Sequence, residues 1–185
     1  MKQFFNYKVV LSLWLFTGMS VAALAQQSDD AETEARATVV QQIVVSQVSN
    51  LDFDLVSPGV TKTISSTGTT LVSAGTTTGS ESRGVFTVSA GSGTSVDLSY
   101  DVPTNLSDGT NNLPVTFTSM WGLANDNNAT TVVNISTSTT IATFPTNDVS
   151  GNNLIYVLLG GSVVPATGQI PGVYTGDVTL TAEYN

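Results

Sequence analysis

The sequence predicts an all-β domain folded as a two-sheet β-sandwich, and three observations carry that reading. Beyond residue 25 no apolar period of about 3.6 residues persists long enough for a helix. Apolar and polar residues instead alternate at period two in one short run after another, with Val, Thr, Ser and Gly dominating. Clusters of Gly, Pro, Asn and Asp break those runs at regular intervals, giving about ten short strands in about 150 residues, which suits a sandwich better than a small barrel.

The first 25 residues stand apart. Lys2 and Lys8 precede an apolar run over residues 9–24 that closes on Ala23-Leu24-Ala25. A positive start, an apolar middle and a small-x-small exit describe a secretory signal peptide over 1–25. Ser12, Thr17, Gly18 and Ser20 interrupt the run, so it falls short of the roughly 20 strongly apolar residues of a stable membrane span. Cleavage leaves 160 of the 185 residues, the size of one domain. It also leaves Arg36, Lys62 and Arg83 against fourteen acidic residues, a net charge of −11. Such a chain repels phosphate, which argues against nucleic acid as a partner. The absence of cysteine excludes disulfides and a lipid-modified N-terminal Cys, so the core alone must hold the fold.

Residues 26–37 carry Asp29, Asp30, Glu32 and Glu34 with almost nothing apolar, and are expected to be a flexible acidic leader to a single domain over 38–185. Residues 38–48 then place Val39, Val40, Ile43, Val44, Val45 and Val48 among Gln and Ser, a β-branched strand apolar on both faces. That pattern fits a strand that is central or inserted between others, which makes it the candidate assembly strand. Leu51, Phe53 and Leu55 alternate with Asp52 and Asp54, and Ser57-Pro58-Gly59 turns the chain into a second short strand over 60–65. Residues 67–83 are mostly Gly, Thr and Ser around Leu71 and Val72, a weak edge strand between loops. Residues 84–90 and 96–102 flank Gly91-Ser92-Gly93 and read as a hairpin.

Leu113, Val115, Phe117, Ser119 and Trp121 alternate with Pro114, Thr116, Thr118 and Met120 in the next strand, and Trp121 belongs to the core or its rim. A polar turn at 125–128 and two short strands over 132–136 and 140–144 follow. Residues 154–159 are apolar without a break, as in a strand covered on both faces, and Gly160-Gly161 is expected to end or bulge it. The closing stretch, 172–184, sets Tyr174, Val178, Leu180, Ala182 and Tyr184 on one face. It is expected to be a buried strand with neighbours on both edges, the candidate acceptor strand.

Little in the chain suggests catalysis. His and Cys are both absent, removing the usual general base, the thiol nucleophile and the transition-metal ligands. Asp52 with Asp54, or Asp97 with Asp101, could form a carboxylate pair, but each pair lies on the polar face of an alternating strand. The Asp108 and Asp126 loops carry turn chemistry without the ligand spacing and bidentate Glu of a calcium loop. The Asn-x-Ser/Thr triplets at Asn105, Asn128 and Asn134 are what so Asn-, Ser- and Thr-rich a chain contains by chance. The reading is a non-enzyme with no cofactor and no bound metal.

The order of several short motifs carries a resemblance. Leu51-Asp52-Phe53, Gly84-Val85-Phe86-Thr87-Val88, Leu159-Gly160-Gly161-Ser162 and Pro171-Gly172-Val173-Tyr174-Thr175-Gly176, framed by the first and last strands, resemble domain-of-unknown-function family 4402 over most of 37–185. That family is similar to spore-coat-U and archaic chaperone–usher pilin domains. The resemblance implies an immunoglobulin-like, pilin-like sandwich, secreted through the periplasm of a bacterium to its surface. It implies a structural role in a pilus or fimbria, with self-association, other surface subunits or a periplasmic chaperone as partners, and no catalytic residues. The alternative is a monomeric secreted binding module for glycans or surface adhesion. Family members read Leu-x-Phe-Gly where this chain has Leu51-Asp52-Phe53-Asp54, so an aspartate must take the bend that a glycine takes elsewhere.

Overall fold

A computed structural model of the chain describes residues 29–67, 72–73, 80–123, 129–146 and 153–185. The expected signal peptide and the turn at 125–128 lie outside the described residues, as does Leu71. The chain divides into two units, 1–38 and 39–185. In the first, residues 29–38 form no regular element and are exposed. The second is all-β, and among the described residues there is no helix.

Eleven strands appear among the described residues: β1 (Val44–Ser49), β2 (Lys62–Ile64), β3 (Val72–Ser73), β4 (Gly84–Ser89), β5 (Val96–Asp101), β6 (Asn105–Ser107), β7 (Asn112–Gly122), β8 (Thr131–Val133), β9 (Thr139–Ile141), β10 (Leu154–Val163) and β11 (Thr179–Tyr184). They form two antiparallel sheets. The larger runs β1-β4-β10-β2-β3, with β7 on the other edge of β10 and β6 and β8 attached to β7; the smaller runs β11-β5-β9. Val88, Ile155 and Val157 from the large sheet share one buried cluster with Val96, Leu98, Ile141 and Leu180 from the small one, so the sheets close on a common core as a β-sandwich does. The opposite end of the large sheet buries Phe53, Ile64, Leu113, Val115 and Val163 in a second cluster.

β10 holds the large sheet together. Ile155 and Val157 point into the main core, while Leu158 packs on the opposite face with Val85 and Ala129, so the strand is covered on both faces and its unbroken apolar run is explained. It does not stop at Gly160-Gly161 as the glycines suggested, but continues to Val163. Residues 154–159 pair with β4 and residues 161–163 with β2 on one edge, while β7 follows along the other. A Cβ at Gly160 would sit 2.4 Å from the Ile64 carbonyl oxygen and the Ser66 nitrogen. Glycine is therefore what lets the strand exchange one neighbour for another without leaving the sheet.

Three further expectations are corrected. β4 and β5 are not a hairpin, for they lie in different sheets. The Gly91–Gly93 connection arches over the core, and its backbone pairs with Phe144 instead (Gly93 N–H to the Phe144 carbonyl, 2.9 Å; Phe144 N–H to the Thr94 carbonyl, 2.7 Å). Residues 51–55 form no strand, only a bridge between Asp52 and Ser82. The closing strand begins at Thr179, and among the described residues β11 pairs with β5 alone, so it is an edge strand with no second neighbour. Residues 172–178 lie outside β11, Thr175 bridging instead to Ser107 of β6, and Tyr174 joins the second cluster, its hydroxyl donating to the Ile170 carbonyl at 2.7 Å.

Candidate assembly site

The candidate strands meet at one side of the sandwich. Among the described residues β1 is the terminal strand of the large sheet, pairing with β4 alone, and β11 is the terminal strand of the small one. The two edges are neighbours. β1 covers 44–49 rather than 38–48, and residues 39–43 run into it without strand pairing.

Burial explains why the first strand is apolar on both faces. Ile43 and Val45 pack on the main core, whereas Val44 and Val48 face outward at 48% and 56% exposure. Val39 and Val40, ahead of the strand, are exposed too. Val44 stands opposite Ser89 and Val45 opposite Val88, and the register shifts between Gln47 and Ser49, where Val48 bulges out. β1 reads VVSQVS, with no charge and no proline to blunt its edge.

On β11 the expected inward face is correct from residue 178 onward. Leu180 is buried, Val178, Ala182 and Tyr184 are half-buried, and Thr179, Thr181 and Glu183 are exposed. Leu180 stands opposite Tyr100 and Tyr184 opposite Val96 on β5. One contact that the sequence does not reveal links the two candidate strands. The Tyr184 hydroxyl donates to the Gln41 carbonyl, just ahead of β1, and accepts the Gly91 N–H at 2.8 Å.

Asp52 and Asp108, both weighed for chemistry, accept local backbone bonds. The Asp54 N–H donates to Asp52 Oδ1 at 2.8 Å, and Asp54 takes φ 50°, the left-handed conformation that glycine adopts freely. Asp97 and Asp101 project from the polar face of β5, with Asp97 opposite Glu183. Asp108 Oδ1 accepts the N–H groups of Thr110 and Asn111, and Oδ2 accepts the Asn111 side-chain amide. Those bonds, from Asn111 above all, hold the Asp108 carboxyl below its ordinary range. Among the described residues no three His, Cys, Asp or Glu converge as a metal would require.

Lys62 has a role that composition could not assign. It faces inward from β2, opposite Val163, and its Nζ lies 2.7 Å from Glu81 Oε1 and 3.0 Å from the Leu55 carbonyl. No family model matches this chain, and no curated protein matches it.

Proposed function

We propose that this protein is a secreted, non-enzymatic subunit of the bacterial cell surface, pilus- or fimbria-like, that assembles by exchange of its first strand. The observation that carries this reading is the position of β1: an uncharged strand at the end of its sheet, with one neighbour among the described residues, and with Val44 and Val48 exposed outside. Such a strand is anchored by main-chain bonds to β4 and by two inward side chains, Ile43 and Val45. An identical strand from a second copy would make the same contacts, and because donor and acceptor surfaces differ, the chain of contacts propagates into a filament.

The alternative, a monomeric glycan-binding module, calls for an exposed aromatic platform. Trp121, Tyr100, Tyr156 and Tyr174 are instead half-buried and packed against core clusters.

The chain has no cysteine, so an introduced pair reports on β1 without interference. Val44→Cys with Ser89→Cys joins residues that face each other. Oxidation at rising protein concentration, with size-exclusion and light scattering, is expected to yield covalent multimers through this pair. Closure within single chains at every concentration would instead make the protein a self-contained surface domain.

A further inference from the structure

The apolar pattern of residues 39–48 does not by itself set how β1 lies on β4. A slip of one residue would turn Val44 and Val48 inward in place of Ile43 and Val45, trading one β-branched set for another. Because either face of such a strand could be the buried one, alternation alone leaves its register open. Nonetheless Val45 stands opposite Val88 and Val44 opposite Ser89.

Polar contacts at its ends distinguish this register. At the far end Ser49 Oγ donates to the Arg83 carbonyl at 3.0 Å. At the near end stands Tyr184, whose ring packs on the main core, whose backbone pairs opposite Val96, and whose hydroxyl accepts the Gly91 N–H from the arch between β4 and β5. Ring, strand and arch fix the hydroxyl in space, and from that point it donates to the Gln41 carbonyl. A one-residue slip would carry that carbonyl about 3.3 Å along the chain and turn it to the other side. Tyr184 would then lose its acceptor.

We propose that the Tyr184 hydroxyl is the register pin of the first strand, both for the chain's own β1 and for the same strand arriving from a second copy. The intermolecular half rests on the strand-exchange reading; the intramolecular half does not.

Two cysteine pairs in the mature chain test it. Val44→Cys with Ser89→Cys reports the observed register, whereas Val45→Cys with Ser89→Cys joins residues on opposite faces that meet only after a slip. With Tyr184 present, the first pair is expected to close and the second to stay reduced. Tyr184→Phe keeps the ring in the core and removes both bonds of the hydroxyl, of which the one to Gln41 holds the first strand, so the slipped pair is expected to close about fivefold to tenfold more often. Equal yields of the slipped pair with and without the Tyr184→Phe change would overturn the proposal. Hydrogen exchange on the cysteine-free Tyr184→Phe chain gives a second reading. Faster exchange along β1 with β10 unchanged supports the pin, and an unchanged β1 refutes it. The strand-exchange reading is scored separately, by whether the disulfides close between chains or within them; closure only within chains removes the intermolecular half and leaves the register result standing.

Discussion

Lys62 Nζ and Glu81 Oε1 lie 2.7 Å apart with both side chains withdrawn from water, at 1% and 2% exposure. A domain with three basic residues after the expected cleavage has placed one of them in its interior, beside a cluster built from Phe53, Ile64, Val115 and Val163. Removing one partner strands the other charge, so Lys62→Met and Glu81→Leu are each expected to cost about 3–5 kcal/mol, while the double variant recovers much of that loss. Urea unfolding of the four proteins checks this; additive losses in the double variant would show that the two charges do not depend on each other.

Asp54 is the one non-glycine with positive φ among the described residues. Asp54→Gly removes the left-handed penalty and is expected to be neutral or to stabilise by up to about 1 kcal/mol, whereas a β-branched Asp54→Val is expected to cost more than about 1 kcal/mol. Thermal melts that rank Val above Gly would contradict the left-handed backbone at this bend.

Leu180, 7% exposed, reaches the main core from β11. Leu180→Ala is expected to cost about 2–5 kcal/mol, a large share of the stability of a domain without disulfides, whereas Thr181→Ala on the exposed face stays within about 0.5 kcal/mol. A Leu180→Ala melting curve that overlays the parent's would place the inward face elsewhere.

Tyr100 joins the two sheets, its hydroxyl 2.8 Å from the buried Ser119 Oγ. Burial pushes the phenol up to about 12, with the Ser119 contact acting in the opposite direction. The folded protein therefore holds this proton more tightly than the unfolded chain. The stabilisation is complete below pH 10 and is lost as pH rises from about 10 to about 12, at most about 3 kcal/mol. Ultraviolet titration of the parent against Tyr100→Phe is expected to show one tyrosine ionising near pH 12, and its appearance near 10 would contradict the burial of this phenol.

Deleting residues 26–48 removes β1 and uncovers the edge of β4. The truncated chain is expected to be unstable alone and to be rescued by a peptide spanning residues 38–48, measured as a peptide-dependent rise in melting temperature. A truncated chain that is monomeric, as stable as the parent and indifferent to the peptide would end the strand-exchange reading.

Local alternation along the chain was enough to determine the all-β class, the inward face of β11 from Val178 to Tyr184 and the two-sided burial of β10, whereas at residues 51–55 it pointed to a strand that does not form. Each of the first three depends on side-chain period, which neighbours in sequence dictate. The partner of each strand was decided by tertiary structure alone. Alternation in β4 and β5 is the same whether the chain folds into a hairpin or arches across a core, and the contacts that go with the second, from Phe144 and Tyr184 to the arch, are distant in sequence. Gly160 reads as a strand end until the backbone of residues 64–66 is seen against it. The candidate site divides in the same way. The apolar residues of β1 and β11 were legible one by one, but the Tyr184 hydroxyl on the Gln41 carbonyl spans 143 positions, and Lys62 on Glu81 crosses between segments that carry no local sign of each other. Contacts of that range follow from how the sheets close on their shared core, a property of the whole packed chain that no short window of sequence contains.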